Sequence, residues 1–171
     1  MNKLLIVIDM QNDFVTGALA NVEAQKIVPA MAEYIRNFDG DIYATRDTHY
    51  ADYMDTQEGK NLPVPHCIEG TEGHEIVPEI LEAFEDREYI FDKPTFGSVA
   101  LANDIGYLSN YDEIEICGVC TDICVISNAL LIKAVAPEIK IKVLKDLCAG
   151  VTPESHENAL KAMAACQIEV V

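Results

Sequence analysis

Short apolar runs alternate with longer segments of helical periodicity along most of the chain. Runs such as "KLLIVI" and "IKIKVL" are rich in β-branched residues, which favours strands. We predict strands at residues 3–8, 41–45, 88–92, 113–118, 139–144 and 167–170. The segments between them predict helices at residues 21–38, 76–84, 98–109, 121–136 and 153–165.

This alternation of strand and helix predicts the fold class. When helices separate successive strands, the strands run parallel and the helices cover both faces of the sheet. The sequence therefore predicts a three-layer α/β/α fold with a six-stranded parallel sheet. Because the chain has 171 residues, half of them hydrophobic, we expect one domain that spans residues 1–171.

One stretch, residues 46–75, interrupts the alternation. It shows little periodicity and holds three of the four histidines. A loop of this length in a compact domain usually carries function. We therefore expect part of the functional site to lie in this stretch.

The charge balance narrows the choice of partners. Twelve Lys and Arg against 29 Asp and Glu give a net charge of −17, which repels phosphate backbones and anionic lipid surfaces. We expect neither nucleic acid nor membrane as a partner. The first apolar run, "LLIVI", ends at Asp9 and is too short for a signal-peptide core or a membrane span, so we expect a cytoplasmic protein with reduced thiols.

Polar residues follow the predicted strands at their carboxyl ends, where open α/β sheets bind ligands. These residues are Asp9, Arg46, Asp47, Lys93, the cysteine-rich segment 117–124 and Asp146. No G-x-G-x-x-G or P-loop motif stands at any of these turns, so a nucleotide phosphate site is not predicted. The residue types instead predict acid, base and thiol chemistry.

Three cysteines fall within "EIEICGVCTDICVIS", a spacing compatible with a metal knuckle, a redox pair or a nucleophile. Cys124 lies in the first turn of the predicted helix, where free N–H groups and the helix dipole favour a thiolate. Cys117 lies inside a strand, as a small buried hydrophobe would. Because a zinc knuckle needs a second ligand pair, we favour Cys124 as a nucleophile, with Asp9 as proton acceptor and Lys93 as positive neighbour.

The long loop also offers metal ligands. Two carboxylates and two imidazoles form a mixture suited to Zn, Mn or Fe(II), namely Asp47, His49, Glu58 and His66. Asp52 and Asp55 are further carboxylates in the same stretch. The remaining histidines, His74 and His156, fit solvated or capping roles better than catalytic ones.

Six motifs resemble those of a known family. They are "VIDMQNDF" (7–14), "TRDTH" (45–49), "LPVPHCIEGTEG" (62–73), "FDKPTFG" (91–97), "GVCTDICV" (118–125) and "DLCAGVTPESHENAL" (146–160). Their order and spacing are similar to those of the isochorismatase-like cysteine hydrolases, nearest to the nicotinamidases of that family. The resemblance covers nearly the whole chain.

The resemblance implies a catalytic triad of Asp9, Lys93 and Cys124 and a cis peptide between Val119 and Cys120. It also implies an oxyanion hole made by the backbone N–H groups of Cys120 and Cys124. The expected reaction is hydrolysis of a small carboxamide through a thioester, first of all nicotinamide to nicotinate and ammonia, a step of NAD salvage. The family further implies a homo-oligomer.

The resemblance implies a divalent metal in the long loop, zinc first and Mn or Fe as alternatives, which binds the pyridine nitrogen of the substrate. The positions that match the family pattern directly are Asp47, His49 and His66. For the remaining ligand we prefer Glu58 over Asp55 or Asp52, because "EGKNLPVPH" resembles the version of the loop that uses a glutamate.

The substrate pocket is less well defined. Nicotinamidases often place a tryptophan against the pyridine ring, and this chain has none, so we expect the ring to be held by Phe14 with Leu62 or Tyr53. Another small amide or carbamoyl compound is an alternative substrate. A catalytically silent relative that binds a ligand, and a thiol or metal sensor that uses Cys117 and Cys120, are the alternatives from other classes.

Overall fold

A computed structural model describes residues 1–108 and 110–171, with the backbone alone at residues 107 and 108. Six parallel strands form one sheet in this described part: β1 (Lys3–Ile8), β2 (Asp41–Asp47), β3 (Glu88–Lys93), β4 (Glu113–Val119), β5 (Lys140–Ala149) and β6 (Glu169–Val170). The predicted three-layer α/β/α fold with a six-stranded parallel sheet is confirmed.

Seven helices accompany the strands among the described residues: α1 (Asn12–Val15), α2 (Val22–Asn37), α3 (Gln57–Asn61), α4 (Pro78–Phe84), α5 (Val99–Leu108), α6 (Ile126–Val135) and α7 (Pro153–Ala165). A π-helical turn, Thr121–Val125, precedes α6. The predicted helix 98–109 corresponds to α5, and residue 109 lies outside the described residues. Within the described chain, no helix combines the length and the apolarity needed to cross a membrane.

The strand order is β3-β2-β1-β4-β5-β6. The chain first builds outward from β1 through β2 to β3, then returns to the other side of β1 and builds outward again from β4. Ligands of open α/β sheets bind at the carboxyl ends of the strands where this order reverses. The crevice between the ends of β1 and β4 is therefore the expected site.

The core forms where the sheet meets its helices. Residues 4–8 of β1 and all residues of β4 are buried, as expected for central strands covered on both faces. Met31 and Ile35 of α2 and Ile132 of α6 are also fully buried. Burying one such side chain stabilises the fold by about 1.5–3 kcal/mol, so the centre of the sheet is a firm platform for the loops at its ends.

Strand β5 differs from its prediction. It continues to Ala149 instead of ending at residue 144. Val143 pairs with Ile116 and Cys148 pairs with Gly118, so a bulge lies between these two pairs. Asp146 lies in this bulge and is exposed, so its assignment to the carboxyl end of a strand was wrong. The bulge interrupts the apolar alternation, which is why the sequence pattern ended early.

The stretch 46–75 is folded and contains helix α3 with 3₁₀ turns at Tyr53–Asp55 and Glu72–His74. The N–H of Cys67 donates to Asp13 Oδ2 at 2.8 Å, which ties the stretch to α1. The sequence did not predict α1, because a helix of four residues is too short to show a periodic pattern.

Candidate active site

Three predicted catalytic side chains converge at the carboxyl edge of the sheet. Asp9 directly follows β1, Lys93 is the last residue of β3, and Cys124 lies in the π-helical turn after β4. Because β2 separates β1 from β3, the lysine side chain reaches across the end of β2. Its Nζ atom lies 2.7 Å from Asp9 Oδ2 and 3.5 Å from Cys124 Sγ.

The Lys93 ammonium is fully enclosed. Its Nζ also donates to the Thr95 carbonyl at 3.0 Å and lies 3.4 Å from Asp47 Oδ1. Burial by itself would lower the pKa of Lys93, but the negative charges of Asp9 and Asp47 raise it above its usual value. The lysine therefore stays charged and provides a fixed positive charge beside the sulfur.

Asp9 is held by β2. Its Oδ1 accepts a hydrogen bond from Thr45 Oγ1 at 2.6 Å, and its backbone N–H donates to the Thr45 carbonyl at 3.2 Å. The backbone of Asp9 adopts the left-handed region, with φ at 49°. Burial raises the pKa of Asp9 and the charge of Lys93 opposes this rise. A buried carboxylate with a raised pKa is suited to accept a proton.

Cys124 is 5% exposed. Burial raises the pKa of Cys124 well above its usual value, the negative charge of Asp9 raises it further, and Lys93 opposes both. Burial therefore acts against the effect that the helix-start position was expected to have on this thiol. The thiolate must form as the proton moves to Asp9, so the two groups titrate as a pair.

The other two cysteines of the motif occupy different surroundings. Cys117 is fully buried within β4, as its position in the strand predicted. Cys120 lies at the start of the π-helical turn, and the peptide bond between Val119 and Cys120 is cis.

A group of possible metal ligands lies beside the triad. The ligand atoms of Asp47, His49, Glu58 and His66 all lie within 4.8 Å of one another. The Nε2 atom of His49 lies 2.9 Å from Asp47 Oδ2 and 3.5 Å from Glu58 Oε1. The Nε2 atom of His66 lies 3.5 Å from Asp47 Oδ2 and 3.7 Å from Glu58 Oε1. The alternative carboxylates, Asp52 and Asp55, are exposed and lie outside this group.

The donor atoms fit a divalent transition metal. Ligand atoms that each lie about 2.1 Å from one ion are separated by about 3.0–3.4 Å at octahedral or tetrahedral angles, close to the distances observed here. The Nδ1 atom of His66 donates to the Val64 carbonyl at 2.8 Å, because a carbonyl oxygen only accepts. In the neutral ring Nε2 then has a free lone pair that faces the two carboxylates.

The electrostatics of this group favour a cation. Burial by itself would lower the pKa of His49, but Asp47 and Glu58 raise it to about 9. Burial would raise the pKa of Asp47, but the hydrogen bond from His49 and the charge of Lys93 bring it well below its usual range. A proton on His49 balances the carboxylates here, and a bound metal ion would replace that proton.

A cavity of about 600 Å³ opens onto both groups. Cys124 and His66 contribute to its wall, and so do the predicted substrate contacts Phe14 and Leu62. Tyr53 is not among the described residues that line the cavity; the centre of its ring lies 4.8 Å from that of His49, and its hydroxyl donates to the Leu62 carbonyl at 2.8 Å. Of the predicted substrate contacts, Tyr53 therefore supports the wall instead of lining it.

The two remaining histidines are structural. His74 is buried, and its Nε2 lies 2.8 Å from Thr48 Oγ1. His156 has its Nδ1 2.7 Å from Thr121 Oγ1, which links α7 to the π-helical turn. The expectation of a solvated or capping side chain was wrong for His74, because tertiary contacts bury its ring, whereas His156 is half-buried.

Sequence reasoning missed Gln11, which supports the metal ligands. Gln11 is fully buried, and its Nε2 donates to the carbonyls of Asp47 and His74, at 2.8 Å each. Its Oε1 accepts the N–H of Asp47 at 2.7 Å. The only sequence signal was an uncharged polar residue just after a strongly apolar strand.

Comparison with known proteins agrees with this geometry. The family model described as the isochorismatase domain matches residues 3–171. An uncharacterized isochorismatase family protein of Bacillus subtilis is 31% identical over 96% of this chain and 95% of its own length. The nicotinamidase/pyrazinamidase of Mycobacterium tuberculosis is 28% identical over 99% of this chain and 98% of its own length.

A solved structure gives the same result. The pyrazinamidase of Pyrococcus horikoshii, in complex with zinc, aligns with a TM-score of 0.82 and 32% identity over 100% of this chain and 99% of that one. The chain therefore belongs to the isochorismatase family, and its curated relatives include nicotinamidases.

Proposed function

We propose that this protein hydrolyses the carboxamide of a small aromatic amide, nicotinamide first, to the acid and ammonia. The observation that carries the proposal is the cavity of about 600 Å³ that reaches both Cys124 and His66. Its wall includes the thiol of Cys124, which has a proton acceptor nearby, and His66, one of the four possible metal ligands. A planar ring with a carboxamide and a ring nitrogen has matching functional groups at its two ends.

The chain's own residues supply the covalent chemistry. Asp9 takes the proton of Cys124 as the sulfur attacks the amide carbon, and the carbonyl electrons move onto oxygen. The backbone N–H groups of Cys120 and Cys124 would stabilise this oxyanion. When the oxyanion collapses, the C–N bond breaks and nitrogen receives the proton from Asp9, so ammonia leaves and a thioester remains on Cys124.

The second half of the reaction regenerates the enzyme. Asp9 accepts a proton from water as the water attacks the thioester carbon, and the C–S bond breaks with return of the proton to sulfur. Lys93 remains protonated throughout and stabilises the negative charge that appears first on sulfur and later on the leaving thiolate.

The residues that would hold a divalent ion are Asp47, His49, Glu58 and His66, with zinc as the first choice and Mn or Fe as alternatives. These residues would place Lewis-acid chemistry within reach of the ring nitrogen of a pyridine substrate. Phe14 and Leu62 would orient the ring in the cavity beside Cys124.

A second candidate substrate is another small amide or a carbamoyl compound. The chain has no tryptophan to stack on a pyridine ring, and Phe14 is the one aromatic residue other than His66 among the described residues that line the cavity. A wall of this kind holds a planar ring less firmly than two stacked aromatic faces would.

Release of ammonia from a matched set of amides tests the proposal. Benzamide has the shape of nicotinamide without the ring nitrogen, so we expect kcat/KM to be at least about tenfold higher for nicotinamide. Hydrolysis of aliphatic or carbamoyl compounds without hydrolysis of nicotinamide would establish the second candidate. No ammonia from any amide by protein that carries its metal would contradict both.

A further inference from the structure

The side chain of Asn128 joins the π-helical turn that carries Cys124 to the loop that follows Lys93. Asn128 lies on α6, one helical turn after Cys124, and is 1% exposed. Its Nδ2 donates to the Cys124 carbonyl at 2.8 Å and to the Phe96 carbonyl at 3.1 Å. Its Oδ1 accepts the N–H of Ser98 at 2.8 Å.

Phe96 and Ser98 belong to the segment that follows Lys93, residues 94–98, which we call the lysine loop. The Thr95 carbonyl of this loop accepts a hydrogen bond from the Lys93 ammonium at 3.0 Å. The loop therefore holds the head of the lysine side chain as well as its backbone. Asn128 fixes the next residues of the same loop to the backbone of the nucleophile.

The lysine loop also packs tightly against α6. A Cβ atom at Gly97 would lie 2.6 Å from Leu131 Cδ1, so the backbone of the loop lies close to this helix. Ser98 Oγ accepts the N–H of Leu101 at 3.2 Å and so starts α5 in a fixed position. The loop is held from three sides: by α6, by the start of α5 and by the Asn128 carboxamide.

A buried asparagine inside a helix lowers stability unless its side chain makes hydrogen bonds that compensate for its burial. Asn has a low helix propensity, and burying an amide costs free energy when its polar atoms lack partners. At this position both Nδ2 and Oδ1 are satisfied, and all their partners belong to the nucleophile or to the lysine loop. An apolar residue would fill the same space without a desolvation cost.

We propose that Asn128 is a positioning residue, which sets the separation between the Lys93 ammonium and the Cys124 sulfur by joining the lysine loop to the nucleophile's backbone. The inference rests on the proposed role of Cys124 as nucleophile. Asp9 and the Thr95 carbonyl hold the Nζ atom, but among the hydrogen bonds described above only those of Asn128 join the lysine loop to the backbone of Cys124, whose Sγ lies 3.5 Å from Nζ. A reacting group displaced by about 1 Å loses much of its rate, so Asn128 acts on the reaction and hardly at all on substrate binding.

The test uses the intact protein in a Cys166→Ser background, because Cys166 is exposed and would react with the probe. Asn128→Ala removes all three hydrogen bonds, and Asn128→Leu removes them while it retains the volume. Ile132→Val is the matched control, since Ile132 is a buried residue on the same helix and no hydrogen bond joins its side chain to the lysine loop.

Two measurements separate positioning from stability. The first is the rate at which iodoacetamide alkylates Cys124, followed by peptide mapping, which needs no substrate. We expect alkylation of Cys124 to slow by about tenfold or more in both Asn128 variants and to be unchanged in Ile132→Val. The second is amide hydrolysis, where kcat should fall by a similar factor with KM within about twofold of the parent.

The outcomes are distinct. If either Asn128 variant is folded, as judged by a thermal transition like that of Ile132→Val, and its Cys124 is alkylated at the parent rate, the inference is wrong. If KM rose by the factor expected for kcat while kcat itself stayed unchanged, the inference would also be wrong. Slower alkylation in the variants of a protein that hydrolyses no amide would support the inference and contradict the proposed function.

Discussion

The Nζ atom of Lys93 lies 2.7 Å from Oδ2 of Asp9, and both side chains are sealed from solvent. A buried ion pair is costly to form and is weak grounds for stability by itself. Its position at the reversal point of the sheet, with Cys124 Sγ 3.5 Å from the same nitrogen, gives the pair a chemical use. In the proposed mechanism, Lys93 keeps a positive charge beside the sulfur, and Asp9 accepts the proton of Cys124 and gives it up again.

Asp9→Asn should remove the proton acceptor with little change of shape. We expect kcat to fall by about 10²–10⁴-fold, the range typical for loss of a general acid and base. The bound metal should remain, because Asp9 is not among the four ligands. Measurement of kcat and of metal content on the same preparation checks both points.

The matched control for this change is Asp92→Asn, which alters a half-exposed carboxylate of β3 that pairs with Arg46. Its kcat should stay close to that of the wild type. If Asp9→Asn and Asp92→Asn were equally active, Asp9 would have no part in proton transfer.

Glu58→Gln should weaken metal binding far more than Asp55→Asn does. Glu58 Oε1 lies 3.5 Å from His49 Nε2, whereas Asp55 is exposed and outside the ligand group. We expect purified wild-type protein to carry about one divalent metal per chain, and Glu58→Gln to lose most of it. Elemental analysis decides the matter, and loss of metal from Asp55→Asn alone would show that the ligand was chosen wrongly.

The acid stability of the fold should depend on Glu113, the first residue of β4. A hydrogen bond from Lys142 lowers the pKa of Glu113 to about 2. A lowered pKa in the folded state means that stability is present above the unfolded value of 4.5 and is lost as the pH falls towards 2. Glu113→Gln should therefore reduce the unfolding free energy by about 1–3 kcal/mol at neutral pH and hardly at all near pH 2.

Denaturant unfolding at several pH values measures this difference. Glu169→Gln is a suitable control, because its side chain is 46% exposed and its ion pair with Lys140 is worth little. A stability loss in Glu113→Gln that was the same at every pH would rule out the ionic explanation.

Much of the fold could be predicted because its strands are either buried on both faces or strongly apolar. The run "LLIVI" and the segment that forms β4 are central strands, and their apolar character is visible without any tertiary information. The positions of Asp9, Lys93 and Cys124 followed from the rule that parallel strands present their carboxyl ends at one edge.

The features that were missed depend on contacts between distant residues. Gln11, Thr45 and Asn128 support the site through hydrogen bonds to other elements, and nothing in their local sequence shows those partners. Asp146 was misplaced because a bulge carries β5 beyond its apolar run. The contribution of burial to the pKa of the Cys124 thiol could not be read from the sequence, because local sequence does not reveal burial.

The most direct measurement of the central claim is the rate of nicotinamide hydrolysis by Cys124→Ala, compared with Cys117→Ala as the matched control. Both cysteines are buried, so both changes remove similar packing. We expect no measurable turnover by Cys124→Ala, because the thioester cannot form, and near-normal kcat for Cys117→Ala at a cost of about 1 kcal/mol or more in stability. Near-normal hydrolysis by folded Cys124→Ala protein would contradict nucleophilic catalysis by this residue.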